Sequence, residues 1–229
     1  MTRRLLWLTA LFLLTATPVS YADYDAGAAA LKNGEYITAY REFKNSAEGG
    51  DAKAQNALGV MNDLGQGIPQ NYTEAMKWYT QAAQRGIPDA QFNIGVMYVS
   101  GKGVPRNYPE AMKWIRMAAD QGHAQAQNTL GFMYVNGQAV AQNYTEAGKW
   151  YRKAAEQGYA PAQYNLGVMY ANGQGVPLDY VQAHVWFNLA ATKGYSDAQK
   201  GRDSVAQKMT PEQLTEAQRL ATEWMLKDK

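Results

Sequence analysis

The sequence predicts an all-α fold made of repeated helix pairs, and three features support this prediction. The chain aligns with itself at an offset of 36 residues without a gap. Within each copy, the apolar residues recur at the spacing of an α-helix. The same start and stop signals frame one helix of every copy. No segment alternates polar and apolar residues with a period of two, so the sequence predicts no strands.

Four columns of residues define the 36-residue copy. The first column is an Ala-Gln pair, whose first member is at Ala54, and the second column is a glycine, whose first member is Gly59. A glycine inside a helix costs about 1 kcal/mol of helix propensity, so its recurrence predicts a close crossing of two helices. The third column is a tryptophan, expected to be a core position in every copy, and the fourth is a glycine that begins at Gly86. The tryptophans are Trp78, Trp114, Trp150 and Trp186.

Each copy contains two predicted helices joined by a turn with the pattern Gly-x-Gly-x-Pro, as at residues 65–69. The second helix begins after Asn71, and Glu74 three residues later completes the pattern of a capping box. It ends at Gly86, where a left-handed C-cap is needed. The equivalent start residues are Asn107, Asn143 and Asp179.

The full copies occupy residues 51–196, and the flanking segments have a different role. Residues 23–50 keep the apolar spacing and are predicted to form a degenerate N-terminal capping repeat. Residues 197–229 are predicted to form C-terminal capping helices, the last of which opens at Thr210. The end units of a solenoid need one polar face, which explains why both flanks depart from the repeat.

Residues 1–22 have the layout of a secretory signal peptide. Two arginines precede an apolar run at residues 5–14, and Ser20 and Ala22 occupy the small-residue positions that a signal peptidase reads. A membrane anchor would need about 20 apolar residues, roughly twice the length of this run. We therefore expect cleavage after Ala22, no stable membrane anchor after cleavage, and a periplasmic location. Secretion or surface association is the alternative location.

The motifs recur in the order Ala-Gln, Gly, Met-Tyr, Gly-x-Gly-Val-Pro, Asn-Tyr, Ala, Trp-Tyr, Ala-Ala and Gly. In this order they resemble the Sel1-like repeat family, a relative of the tetratricopeptide repeats, from about Tyr36 to Trp224. The resemblance implies a right-handed superhelical solenoid of antiparallel helix pairs that acts as an adaptor. Exported bacterial members serve in envelope signalling, secretion or host contact, so a protein or peptide is the expected partner.

Four residues depart from this pattern. Asn62 replaces the column tyrosine, Ala139 and Ala141 replace a glycine and the proline of the turn, and Gly148 replaces a methionine. We therefore expect the first and third copies to be less tightly packed than the second and fourth.

The composition argues against several classes of function. Residues 1–22 hold two of the 22 Lys and Arg and none of the 20 Asp and Glu, so the rest of the chain has no net charge. Nucleic acid is therefore not an expected partner. His123 and His184 lie in different columns, so no metal site is expected. The Gly-x-Gly turns lack the preceding strand and the Gly-Lys-Ser/Thr of a phosphate loop, so no cofactor is expected.

No catalytic residues are predicted. No serine is followed three residues later by a lysine, as an acyl-enzyme of the beta-lactamase type requires, and there is no cysteine. The leading hypothesis is a non-catalytic protein–protein interaction module of the bacterial cell envelope. The alternative is a hydrolase that acts on cell-wall or beta-lactam substrates.

The first helices carry residues that the core does not require, and we call them the first-helix stripe. In related helical repeats the first helices line the concave face. Side-chain amides can hydrogen-bond an extended peptide, while valines and a phenylalanine form an apolar floor. We therefore predict that the stripe binds the partner; the alternative is that these are ordinary exposed residues. The stripe consists of Asn93, Val96, Ser100, Thr129, Phe132, Asn136, Asn165, Val168 and Asn172.

Overall fold

The structure is a computed structural model that describes residues 24–227, so the predicted signal peptide lies outside the described residues. This range contains twelve α-helices packed as consecutive pairs, which confirms the predicted all-α solenoid of helix pairs. The helices are α1 (Tyr24–Lys32), α2 (Tyr36–Glu48), α3 (Ala52–Leu64), α4 (Tyr72–Gln84), α5 (Pro88–Ser100), α6 (Tyr108–Asp120), α7 (Ala124–Asn136), α8 (Tyr144–Glu156), α9 (Ala160–Asn172), α10 (Tyr180–Thr192), α11 (Ser196–Ala206) and α12 (Pro211–Lys227). The first helices of the four copies are α3, α5, α7 and α9, and the second helices are α4, α6, α8 and α10.

The predicted N-caps of the second helices are present, but the reciprocal half of the capping box is not. The side chain of Asn71 accepts a hydrogen bond from the backbone N–H of Glu74 at 3.1 Å. Instead of pairing with the Glu74 carboxylate, the N–H of Asn71 donates to the carbonyl of Asn62 at 2.8 Å. The carboxylate binds Lys77. The backbone of the cap thus ties the second helix to the first helix of the same copy.

The turn between the two helices packs against the preceding copy. A Cβ added to Gly67 would lie 2.7 Å from the Cβ of Tyr36, which begins α2. Gly67 also has a φ of +74°, which favours glycine over every other residue. Ala139 occupies the equivalent position before α8 and adopts a φ of +67°. The third copy therefore keeps the turn geometry and carries the strain of a left-handed alanine, of the order of 1 kcal/mol.

The glycine column allows the close helix crossing that the sequence predicts. A Cβ added to Gly59 would lie 2.4 Å from the ring of Tyr79, and one added to Gly167 would lie 2.7 Å from the ring of Phe187. The large side chain of the second helix thus packs directly on the backbone of the first. The four members of this buried column follow the tryptophans by one residue and are Tyr79, Ile115, Tyr151 and Phe187.

All four column tryptophans pack in or against core clusters, but only two of them are fully covered. Trp150 and Trp186 are buried, whereas Trp78 and Trp114 are only half-buried. The difference follows from what covers each ring. The guanidinium of Arg116 and the ammonium of Lys153 lie over Trp150, and the ring of Trp224 packs on Trp186 with centroids 5.1 Å apart.

The Ala-Gln column connects neighbouring copies through buried amides. Gln127 donates to the carbonyl of Ala119 at 3.0 Å and accepts from the side chain of Gln157 at 2.7 Å. Gln163 likewise donates to the carbonyl of Ala155 at 3.1 Å, but Lys193 stands at the position equivalent to Gln157. The Oε1 atom of Gln163 therefore has no hydrogen-bond partner among the described residues. In all four copies the amide N–H of the glutamine donates to a carbonyl of the preceding helix, and this paired buried donor accounts for the recurrence of glutamine.

The last helix covers the second helix of the fourth copy. α12 packs mainly on α10, where Ala217 and Ala221 join a core cluster with Val185 and Leu189. The repeat-equivalent positions on α8 are lysines, Lys149 and Lys153. α10 is therefore apolar on the face where other second helices are charged, because α12 removes that face from water.

A buried histidine gives this region a predicted pH dependence. His184 is buried in α10, and burial, together with the nearby Arg202, lowers the pKa of its imidazole, while Asp203 opposes the shift. The unfolded chain therefore binds a proton more readily than the folded protein. We expect the free energy of unfolding to fall as the pH decreases below about 6.5, by at most about 1.4 kcal/mol per pH unit.

Urea unfolding at neutral and mildly acidic pH measures this effect. His184→Met is the matched control, because methionine is the residue at the equivalent positions 76 and 112. The variant should lose the His184 contribution to the pH dependence. Identical changes of stability with pH in both proteins would contradict the assignment.

Candidate functional site: the concave face

The first helices lie on the inner side of the solenoid. Near the two ends of the stack the first helices contact one another, α3 with α5 and α9 with α11. Amide pairs also join them: Asn93 donates to Asn56 at 3.4 Å, and Asn165 donates to Asn128 at 2.9 Å. Elements on the inside of a curved stack approach each other more closely than those outside. This geometry indicates that the first-helix stripe faces the concave side.

Most polar groups of the stripe have hydrogen-bond partners within the protein. Asn93 and Asn165 use their amide N–H groups in the pairs between helices. Thr129 and Asn136 donate to carbonyls of their own helix at 2.8 Å, and Ser100 does so at 3.3 Å. The donors that the sequence suggested for a peptide backbone are thus shared with the protein's own groups. Asn172 is exposed at the end of α9.

The apolar residues of the stripe offer the more open surface. The exposed fractions of Val96 and Phe132 are 40% and 49%, while Val168 is half-buried against the core cluster of α10 and α11. Leu64, which is 59% exposed, extends this surface by one copy and was missed in the sequence analysis. It stands 36 residues before Ser100, so extending the stripe back by one copy would have found it.

The helices that carry the first-helix stripe contain almost no charged residues. α7 and α9 contain no charged residue, and α5 contains one, Asp89, in its first turn. Three of the second helices, α4, α6 and α8, instead carry an ion pair between a glutamate and a lysine three residues later, such as Glu110 with Lys113 at 2.5 Å. The first-helix stripe therefore presents apolar side chains, amides and hydroxyls, while α3, which precedes it, carries Lys53 and Asp63.

The histidines have structural roles in this arrangement. His123 caps α7 by accepting from the N–H of Ala126 at 3.1 Å, and its other ring nitrogen lies 3.0 Å from a carboxylate oxygen of Asp89. His184 lies in α10, and no cluster of three potential metal ligands occurs within residues 24–227. None of these twelve helices is both long and apolar enough to cross a membrane.

Two clefts lie outside the first-helix stripe. One, of about 410 Å³, surrounds Gly148 on α8 and reaches the turn before α10. The other, of about 480 Å³, lies at residues 34–38 beside Gly67. The stripe itself runs along three successive first helices, α5, α7 and α9, an extent that suits an extended polypeptide segment more than a small molecule.

Comparisons with known proteins identify the repeat. The Sel1 repeat profile matches residues 52–87, 88–123, 124–159 and 160–195, a register one residue away from the unit begun at residue 51. No curated protein matches the chain. A Sel1 repeat protein from Oxalobacter formigenes is 37% identical, with a TM-score of 0.71 over 77% of this chain and 73% of the other.

Two further solved structures have the same kind of fold. The c5321 protein, a protective antigen present in uropathogenic Escherichia coli strains, displays an SLR fold and is 34% identical with a TM-score of 0.76. The match covers 90% of this chain but 44% of c5321, so this chain spans less than half of that protein. The immunity protein Pa5087 from Pseudomonas aeruginosa, 20% identical over 88% of this chain and 81% of its own, has a TM-score of 0.54 and shares the fold alone.

Proposed function

The chain belongs to the Sel1 repeat family, and from this premise we propose that it is a non-catalytic scaffold whose concave face captures a protein partner. Sel1 repeat proteins are a protein-interaction scaffold type. The observation that carries the proposal is the surface along α5 and α7, where Val96 and Phe132 remain exposed and where the one charged side chain is Asp89 in the first turn of α5; the exposed Leu64 of α3 extends this surface. Exposed apolar residues that line up on one face of a soluble protein mark an interaction site.

The chemistry of this surface defines the partner segment. An extended segment with apolar side chains at intervals would pack on Val96 and Phe132, and its backbone would bond to amides and hydroxyls along the stripe. Because these contacts are between uncharged groups, the stripe would not select its partner by charge. The proposed partner is therefore an apolar, weakly charged polypeptide segment.

Export is part of the same proposal. The arginines and the apolar run of residues 1–22 support cleavage after Ala22 and action in the bacterial cell envelope, in the periplasm or at the surface. The intact mass of the protein purified from the envelope fraction tests this. A mass that includes residues 1–22 would exclude the cleavage.

A triple variant tests the concave face. Leu64→Ser, Val96→Ser and Phe132→Ser together remove the exposed apolar surface while leaving the buried columns intact. We expect loss of the captured envelope proteins in quantitative pull-down, with thermal unfolding nearly unchanged because surface positions contribute little to stability. Capture by the wild-type protein should persist at about 0.5 M salt, where exposed charges are screened.

The matched control is Met117→Ser with Leu178→Ser. These residues are also exposed and apolar, but they lie on α6 and in the turn before α10. The control should retain the wild-type partners. Equal capture by the triple variant and the wild type, or capture that disappears in salt, would contradict the proposal.

A further inference from the structure

One cleft of the protein lies where two other copies have a methionine side chain. Met76 on α4 and Met112 on α6 pack against or within core clusters, and the residue at the equivalent position of α8 is Gly148. The cleft of about 410 Å³ on α8 is lined by Gly148 and reaches Val176 in the turn before α10. We call it the Gly148 cleft. Among the four second helices, α8 alone has a glycine at this position.

Close packing fixes the walls of the Gly148 cleft. A Cβ added to Gly175, in the turn that forms one wall, would lie 2.4 Å from the backbone carbonyl of Tyr144 at the start of α8. Gly148 and Trp150 are buried, so they form the floor of the cleft and not its rim. The cleft is therefore present before any ligand binds, and its volume lies in the range of small-molecule sites, about 300 to 1,000 Å³.

Cations outnumber carboxylates at the rim of the Gly148 cleft. Three cations and two carboxylates line it, whereas the equivalent residues of α4, α6 and α10 carry no excess of cations. Lys149 pairs with the glutamate three residues before it, and Arg152 donates to the hydroxyl of Tyr170. The ammonium of Lys153 lies 4.1 Å from the ring centre of Trp150 and makes no ion pair within residues 24–227. The rim thus has a net positive charge, and Lys153 is its unpaired lysine.

We propose that the Gly148 cleft binds a small organic anion, namely a compact apolar body that carries one acidic group. The apolar body would fill the space next to Gly148 and Val176. The acidic group would pair with Lys153 at the rim, where Arg152 adds a second positive charge. Both parts are needed, because an exposed ion pair alone contributes little to binding and an uncharged body gains nothing from Lys153.

This site is independent of the first-helix stripe, because it lies on a second helix and takes a small molecule. It does not rest on the proposed capture of a protein partner, and each of the two can fail without the other.

Two fluorescent probes added to the full chain test the proposal. Anilinonaphthalene sulfonate has an apolar aromatic body with one acidic group, and phenylnaphthylamine has the same body without the sulfonate. The fluorescence of both probes rises in apolar surroundings, so titration gives the affinity of each. We expect the wild-type protein to bind the sulfonate about threefold to fivefold more tightly than the uncharged probe, the effect of one partly exposed ion pair.

Two variants separate the apolar and the charged part of the site. Gly148→Met should weaken both probes about tenfold or more, because the methionine side chain would occupy the apolar space. Lys153→Gln should weaken the sulfonate about threefold to fivefold and leave the uncharged probe unchanged. Lys113→Gln is the matched control, since it removes a lysine from α6, where methionine already occupies the equivalent space, and it should change neither affinity.

Folding of each variant is checked by circular dichroism and melting. A Cβ added to Gly148 meets first the flexible end of Met169, at 3.3 Å, so methionine can be accommodated there. Lys153→Gln changes only the charge at the rim and decides the question even if Gly148→Met does not fold. The triple variant of the concave face should bind the sulfonate normally.

Four results would overturn the proposal. The first is that the wild-type protein binds neither probe, and the second is that it binds both equally. The third is sulfonate binding that survives both Gly148→Met and Lys153→Gln. The fourth is binding that is lost in the triple variant, because the probe would then occupy the first-helix stripe.

Discussion

Phe187→Ala is expected to lower the free energy of unfolding by about 3 to 5 kcal/mol, the upper range for a buried aromatic residue. The ring lies against two glycines: a Cβ added to Gly167 would be 2.7 Å from it, and one added to Gly201 would be 2.9 Å away. Glycine has no side chain that could move into the space left by the ring. The cavity therefore stays open, and the free energy of unfolding falls by the full cost of that cavity.

Urea unfolding followed by far-ultraviolet circular dichroism measures this loss. Phe187→Tyr is the control, because tyrosine fills the same column in α4 and α8, and it should cost less than about 1.5 kcal/mol. Trp114→Ala should cost less than Phe187→Ala, since Trp114 is only half-buried. A loss of under about 1 kcal/mol for Phe187→Ala would mean that this column does not form the core.

Gly131→Ala is expected to destabilise the protein, whereas Gly148→Ala is expected to be neutral or stabilising. Both glycines are buried inside helices, so alanine gains up to about 1 kcal/mol of helix propensity at either position. At Gly131, however, the added Cβ would lie 2.8 Å from the ring of Tyr151, which cannot move without disturbing the core. At Gly148 the nearest atom is the end of Met169, 3.3 Å away.

At Gly131 the steric cost of the added Cβ therefore outweighs the gain in helix propensity, and we expect a net destabilisation of about 1 to 3 kcal/mol. Gly148→Ala should be neutral or stabilising by up to about 1 kcal/mol. The difference between the two urea midpoints is the measurement, since the substitution is chemically the same. Two variants of equal stability would show that the helix crossing has no steric limit at Gly131.

The repeat, the helix boundaries and the family could all be predicted from the sequence. Asn71 and Gly86 lie within a few residues of the backbone groups they satisfy, so the start and the end of a helix can be predicted from a short segment of sequence. The crossing at Gly59 was also predictable, because a column of glycines inside helices has a cost that only close packing can offset. The identity of the crossing partner, Tyr79, needed the structure.

The predicted stripe contains exposed apolar residues, as its helical spacing indicated, but most of its amides are not free; partner binding by the stripe stays a prediction. The spacing of Val96 and Phe132 correctly placed them on an exposed helix face. The sequence did not reveal that Asn93 is bonded to Asn56 in another helix, because that contact depends on how closely two copies stack. Which amides remain available to a partner is therefore a property of the stack, while the exposure of a face follows from helical period.

By itself, the sequence determined the repeating unit, the caps, the turns and the two faces of each helix, because these depend on neighbours within about one helical turn. Only the tertiary structure decided which tryptophans are covered and where α12 packs. Those outcomes come from contacts between residues far apart in the chain, such as Trp186 with Trp224. Their free energy arises from surface removed from water when copies stack, which no single copy contains.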